Sequence, residues 1–181
     1  LRHALDLHLA GRQDEAAVAY SAILQAEPDR ADAWHLLGLI AQEKNQEETA
    51  LSLVGKALDL APENAVYHHN FAGIKARGGN LADAVNHYRE AVRLKPDYAE
   101  AYYNLANTIL VKSDDPITGA MTSLLAVSDL SRDDRCFLNF ALGKSFTDLG
   151  DHDQAFAHYA QGNADKDARF DRTAWERRID A

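Results

Sequence analysis

Trp34-His35-Leu36-Leu37-Gly38, followed by Ala50, Ala57 and Pro62, is the stretch on which the reading of this chain turns. The same spacing returns as Phe71, Ala84, Tyr88, Ala91 and Pro96, and it runs backward as Ala16, Tyr20, Ile23 and Pro28. Pro28, Pro62 and Pro96 stand 34 residues apart, and so do Gly11, Asn45 and Gly79. Self-similarity at a fixed period means a stack of small equivalent units in place of one closed core. A binding scaffold is therefore expected before any search for chemistry.

Each period reads as two helices. Apolar residues at 33, 36, 37, 40 and 41 form a helical stripe, the polar run Glu43-Lys44-Asn45-Gln46 breaks it, and a second stripe follows at 50, 51, 54, 57 and 58. Leu60-Ala61-Pro62 ends it, because proline cannot continue a helix and drives the preceding residue to extended geometry. Arg77-Gly78-Gly79-Asn80 predicts a turn, with Asn80 capping a helix that starts at Leu81. Gly38 and Ala72 are placed where the first helix of a pair meets the second, with Ala50 and Ala84 on the facing surface. Small side chains there let backbones approach, so a bulky replacement at Ala50 or Ala84 is expected to cost roughly 1–3 kcal/mol through overpacking.

A fourth unit starts regularly with Tyr102, Leu105 and Ala106, then is disturbed at Ser113-Asp114-Asp115-Pro116. Asp115-Pro116 is a helix start, N-cap then first-turn proline, for a helix through Ala120, Leu124 and Val127. Leu142-Gly143, Gly150, Ala155 and Tyr159 mark a fifth unit. Gly79 to Gly150 is 71 residues, three more than two periods, so the fourth unit carries a short insertion. The expected units are 1–30, 31–64, 65–98, 99–132 and 133–163 in one elongated array. The remaining 164–181 reads as a capping helix or the start of a linker. There Thr173-Ala174-Trp175-Glu176 matches a capping box, and Phe170, Trp175 and Ile179 could cover the end of the stack or bind a partner.

These residues resemble the tetratricopeptide repeat family, whose signature is a tryptophan, leucine-glycine, alanine and proline pattern at period 34. The resemblance runs from Leu1 to Asn163. The first unit lacks its start, Asn45 replaces the turn glycine, and the fourth unit is irregular. It implies an all-α, right-handed superhelix of about five helix-turn-helix units, whose first helices line a concave groove that binds peptides or proteins. Chaperone-binding members grip a terminal carboxylate with cations. The matching positions here are Leu1, His35, His69 and Tyr103, which argues against that clamp. A narrower run resembles the last repeat before the catalytic domain of bacterial sulfotransferases that carry such repeats: Phe140-Ala141-Leu142-Gly143-Lys144, Asp148-Leu149-Gly150-Asp151, Ala155-Phe156-Ala157-His158-Tyr159 and Gly162-Asn163.

The candidate groove residues follow from the register. Asn70 and Asn104 are 34 apart, and Asn107 lies one turn beyond Asn104. A carboxamide donates and accepts, so a ladder of them can hold an extended peptide backbone, or each can be satisfied within its own repeat. His35, His69 and Tyr103 form a column one residue earlier, either presenting rings to a ligand or varying on a solvated surface. A charged partner would make the two histidines pH-sensitive. Gln42, Arg77 and Lys144 are expected on the same concave side.

Chemistry finds little support. None of the eight histidines forms an i, i+4 pair, there is no paired-cysteine motif, and Asp151-His152-Asp153 reads as an exposed turn, so no metal is expected. Phosphate-loop, dinucleotide and G-x-S-x-G motifs are absent, so neither a cofactor nor a catalytic residue is expected. The net charge of −9 argues against nucleic acid, and the tail offers no basic patch, with five basic and five acidic residues in 164–181. The single cysteine, Cys136 beside Phe137-Leu138, excludes an intrachain disulfide and reads as a buried structural thiol. No apolar run approaches the ~20 residues of a membrane span, and no signal peptide is visible. Leu1-Arg2-His3-Ala4-Leu5 reads as the middle of a helix, as in an excised or processed piece. The expectation is a non-catalytic, cytoplasmic interaction module with a protein or peptide partner. The alternatives are the arm of a larger enzyme and a self-associating, homo-oligomeric element.

Overall fold

The computed structural model describes residues 1–126 and 129–167. Val127, the capping box at Thr173, and Phe170, Trp175 and Ile179 lie outside the described residues. Among the described residues the chain is all helical, and it sorts into two compact units that divide after Pro96. In the first unit α1 (Arg2–Leu9) packs on α2 (Gln13–Ala26), α3 (Ala31–Glu43) on α4 (Glu47–Leu60), and α5 (Ala65–Arg77) on α6 (Leu81–Leu94). In the second, α9 (Arg132–Asp148) packs on α7 (Ala99–Thr108), α8 (Ile117–Leu125) and α10 (His152–Asp167).

One residue turns each helical hairpin. Gly11, Asn45, Gly79 and Gly150 have φ of +74°, +57°, +81° and +78°. The next amide then reaches back to the helix just ended: Arg12 to Leu7 O and Gln46 to Ala41 O at 2.9 Å, Asn80 to Lys75 O at 3.0 Å, Asp151 to Phe146 O at 2.9 Å. This is the left-handed C-terminal cap that glycine forms without a Cβ penalty, and asparagine is the residue that best replaces it. The pair-to-pair junctions use proline instead. Glu27, Ala61 and Lys95 precede Pro28, Pro62 and Pro96, and their φ/ψ are −133°/77°, −140°/72° and −133°/87°. Extended backbone is what a following proline imposes, so each second helix stops at the same place.

The small residues do what their spacing predicts. A Cβ on Gly38 would lie 2.6 Å from Val54 Cγ2, and one on Gly143 would lie 2.7 Å from the Tyr159 ring. Both glycines therefore let two helices of a pair close on each other. Ala50 and Ala84 are fully buried opposite such contacts.

The fourth repeat departs from the pattern. The turns of the other pairs take three residues, 10–12, 44–46, 78–80 and 149–151, whereas 109–116 separates α7 from α8. After Thr108 the chain is extended, with Ile109 at φ −111° and ψ 162°. Asp115 Oδ1 accepts from the Ile117 amide at 3.1 Å and so caps α8, as expected from Asp115-Pro116.

Candidate functional site

In the first unit, the face shared by α3 and α5 brings together residues that share a register but are distant in sequence. His35 stacks on Tyr67 with ring centroids 4.5 Å apart. The Tyr67 hydroxyl donates to the Asp32 carboxylate. Asn70 Nδ2 lies 2.8 Å from His35 Nε2. An amide NH2 only donates, so His35 is neutral with its proton on Nδ1. Burial pushes the His35 pKa down to about 4 against the opposing pull of Asp32. His69 tilts against Tyr88 at 5.7 Å. The expected exposed column is thus corrected: His35 and His69 are each 6% exposed and offer no ring face to a ligand. They lie where successive first helices stack, so packing takes them. Asn70, half-buried, spends its amide group on His35. Gln42 and Arg77 do come together, lining a recess of about 250 Å³ with Asn45, Glu47 and Ile74.

A second histidine pair escaped the sequence reading. His68 Nε2 lies 2.8 Å from Pro62 O, and His68 Nδ1 lies 2.9 Å from His87 Nδ1. A carbonyl only accepts, so the His68 proton sits on Nε2 and His87 donates from Nδ1. Burial, then the neighbouring His68, lowers the His87 pKa. One repeat earlier Trp34 Nε1 donates to Pro28 O at 2.7 Å. The signal was available: Trp34 and His68 are 34 apart, as are Pro28 and Pro62, and both rings carry an N–H.

In the second unit, Lys144 departs from expectation. Its Nζ donates to Ile109 O and to the Asp148 carboxylate, whose Oδ2 also accepts from the Val111 amide at 2.8 Å. Lys144 therefore ties down the extended 109–111 segment and is not a groove cation. Asn107 Nδ2 donates to Tyr103 O of its own helix at 2.8 Å, the local one of its two expected roles. Asn104 is half-buried, and its carbonyl accepts from Thr108 Oγ1 at 2.7 Å.

Tyr103 does face open space. It lines a cleft of about 430 Å³ with Asp133, Cys136, Phe137 and Phe140 of α9 and Asp165 and Lys166 of α10. Tyr103 and Phe137 tilt together at 5.6 Å, and both, like Phe140, are half-buried. Gly162 sets the depth of this wall: a Cβ there would lie 3.3 Å from both Asn139 and Phe140. Asn139, 2% exposed, locks α9 to α10 from beneath. Its Nδ2 donates to Asp165 Oδ2 at 3.3 Å, so its Oδ1 accepts from His158 Nδ1 at 3.0 Å. Cys136 Sγ lies 3.6 Å from Gly162 O, and burial and then Asp165 raise the thiol pKa, which makes it a poor nucleophile. The thiol is half-buried, where the sequence suggested full burial.

The repeat signature is matched by the tetratricopeptide repeat profile at residues 31–64 and by a second TPR repeat profile at 74–110. The chain carries tetratricopeptide repeats. It is 34% identical over 93 residues to the TPR repeat-containing thioredoxin TTL4 of Arabidopsis thaliana, covering 51% of this chain and 14% of that one. Among solved structures it is similar to MamA, with TM-score 0.66, 18% identity, and coverage of 91% of this chain and 94% of that one. It is also similar to YrrB, described as a TPR protein with an unusual peptide-binding site, with TM-score 0.67, 15% identity, and coverage of 91% and 84%. These structures establish the tetratricopeptide solenoid fold. The chain spans 14% to 28% of the length of the first curated relatives it matches. No helix among the described residues is long and apolar enough to cross a membrane.

Proposed function

We propose that this chain is a non-catalytic protein-interaction scaffold that captures an extended or helical segment of a partner. One observation carries the reading: Tyr103, Phe137 and Phe140 are left half-buried around a 430 Å³ cleft, although helix packing buries the rest of the α9 core. Large rigid side chains at a concave site are what anchor a partner residue. The first unit contributes less direct contact, because His35, His69 and Asn70 are engaged within it; Gln42 and Arg77 remain for polar contacts. Partner capture by YrrB, a structural neighbour, fits the same reading.

The only cysteine supplies the test, since Cys136 lines the cleft. Peptides selected from a random display library against the chain should slow alkylation of Cys136 by a maleimide. Their binding should be lost in a folded Tyr103→Ala variant. Selected peptides that leave the alkylation rate unchanged and bind Tyr103→Ala equally well would overturn this site.

A second reading, the repeat arm of a larger enzyme, is favoured by the match to a thioredoxin that contains TPR repeats and of which this chain covers 14%. A sulfotransferase as that enzyme rests on the Phe140–Asn163 run alone. Reading the gene beyond codon 181 tests it: a continuing frame with a phosphosulfate-binding loop supports it, and an early stop codon sinks it.

A further inference from the structure

The cleft that holds Tyr103 is acidic at its rim. Asp133 sits in the first turn of α9 and Asp165 near the end of α10, on either side of the Tyr103, Phe137 and Phe140 walls. Lys166 is the only cation lining the cleft. Arg135 reaches Asp165 at a distance of 3.7 Å and is itself 39% exposed, a geometry that compensates little. The imbalance extends to the surroundings. Residues 97–167 hold twelve acidic and five basic side chains, a net charge of −7, whereas residues 1–96 hold thirteen and ten, a net charge of −3. The acidic character of the chain is therefore concentrated around the one open aromatic cleft.

We propose that this cleft takes a basic amphipathic segment of a partner protein. One large apolar side chain enters between Tyr103 and the two phenylalanines, and flanking lysines or arginines pair with Asp133 and Asp165. Three features select this occupant. The aromatic walls ask for an apolar or cationic group, and a cation is stabilised over an aromatic face as well as by a carboxylate. The cleft volume falls within the range of about 300–1,000 Å³ typical of ligand sites, more than a surface dimple. The local charge of −7 attracts a cationic segment and repels a second copy of this acidic chain. This inference rests on the capture reading above and adds to it the chemistry of the partner.

The test uses two synthetic probes on the whole chain, followed by fluorescence anisotropy. One is a 14-residue peptide with Leu and Phe at helical spacing and Lys elsewhere; its twin carries Glu in place of every Lys. The Lys peptide should bind and the Glu peptide should not. Phe137→Ala should weaken binding by 10-fold or more, and Asp133→Asn by about 3-fold. Because Phe137→Ala could loosen α9, the exposed Lys166→Glu provides an independent check and should tighten binding of the Lys peptide by about 3-fold. Two results would overturn the proposal: equal binding of both peptides, or Lys-peptide affinity indifferent to Phe137→Ala and Lys166→Glu alike. A dimer that forms with increasing concentration and is lost in Phe137→Ala would also overturn it, assigning the cleft to a second copy. Display-selected peptides that protect Cys136 but lack basic residues would sink the basic specificity alone and leave partner capture standing.

Discussion

Tyr20, Val54 and Tyr88 occupy the same repeat position, one on each second helix, and all are buried. The Tyr20 hydroxyl is fully buried with no hydrogen-bond partner. An unpaired buried hydroxyl costs about 1–3 kcal/mol, and Val54 shows that the position works without one. Tyr20→Phe is therefore expected to leave stability unchanged or raise it by about 1 kcal/mol, read from urea unfolding. His35 carries the opposite lesson, since its polar contacts are complete. Its folded pKa of about 4 lies below the ordinary 6.5, so between these values the unfolded chain binds the proton and the folded chain does not. The stabilisation is thus fully present above pH 6.5, falls as pH drops towards 4, and is exhausted below that. Between pH 7.5 and 5.0 the wild type should lose about 2 kcal/mol more than His35→Gln. Trp34 fluorescence in a Trp175→Phe background reads that transition; equal losses in both proteins would show that His35 is not its source.

At the scale of the element, the hairpin turn is the repeated device. Asn45 stands where Gly11, Gly79 and Gly150 stand, and like them it has positive φ. Asn45→Gly should be neutral or slightly stabilising, whereas Asn45→Val should cost about 1–2 kcal/mol, because a β-branched side chain clashes in that backbone region. Equal stability of the two variants in urea would show that the turn can flip to another geometry. The α7–α8 connection lacks this device. There Asp148 and Lys144 hold the chain by side-chain bonds to Val111 and Ile109. The insertion seen as three extra residues is therefore built into a fixed extended strap.

For the whole molecule, the charge of −9 governs how partners arrive. If the ligand is cationic, its association rate should fall about 10-fold or more between 20 and 300 mM salt while its dissociation rate changes little, because salt screens the approach more than the formed contacts. Stopped-flow fluorescence separates the two rates, and a salt-independent association rate would remove charge from the account. The all-helical fold, the hairpin turns and the proline stops were legible in the sequence. Each depends on residues a few positions apart, and a period of 34 repeats them. The close approaches at Gly38 and Gly143 were legible for the same reason. The fate of the groove side chains was not. His35 meets Asn70 and Lys144 meets Ile109, each pair 35 residues apart in sequence, so these contacts exist only once neighbouring repeats have stacked. A register places a residue on a face. Tertiary packing alone decided whether that face is closed, as at His35 and His69, or left open, as at Tyr103.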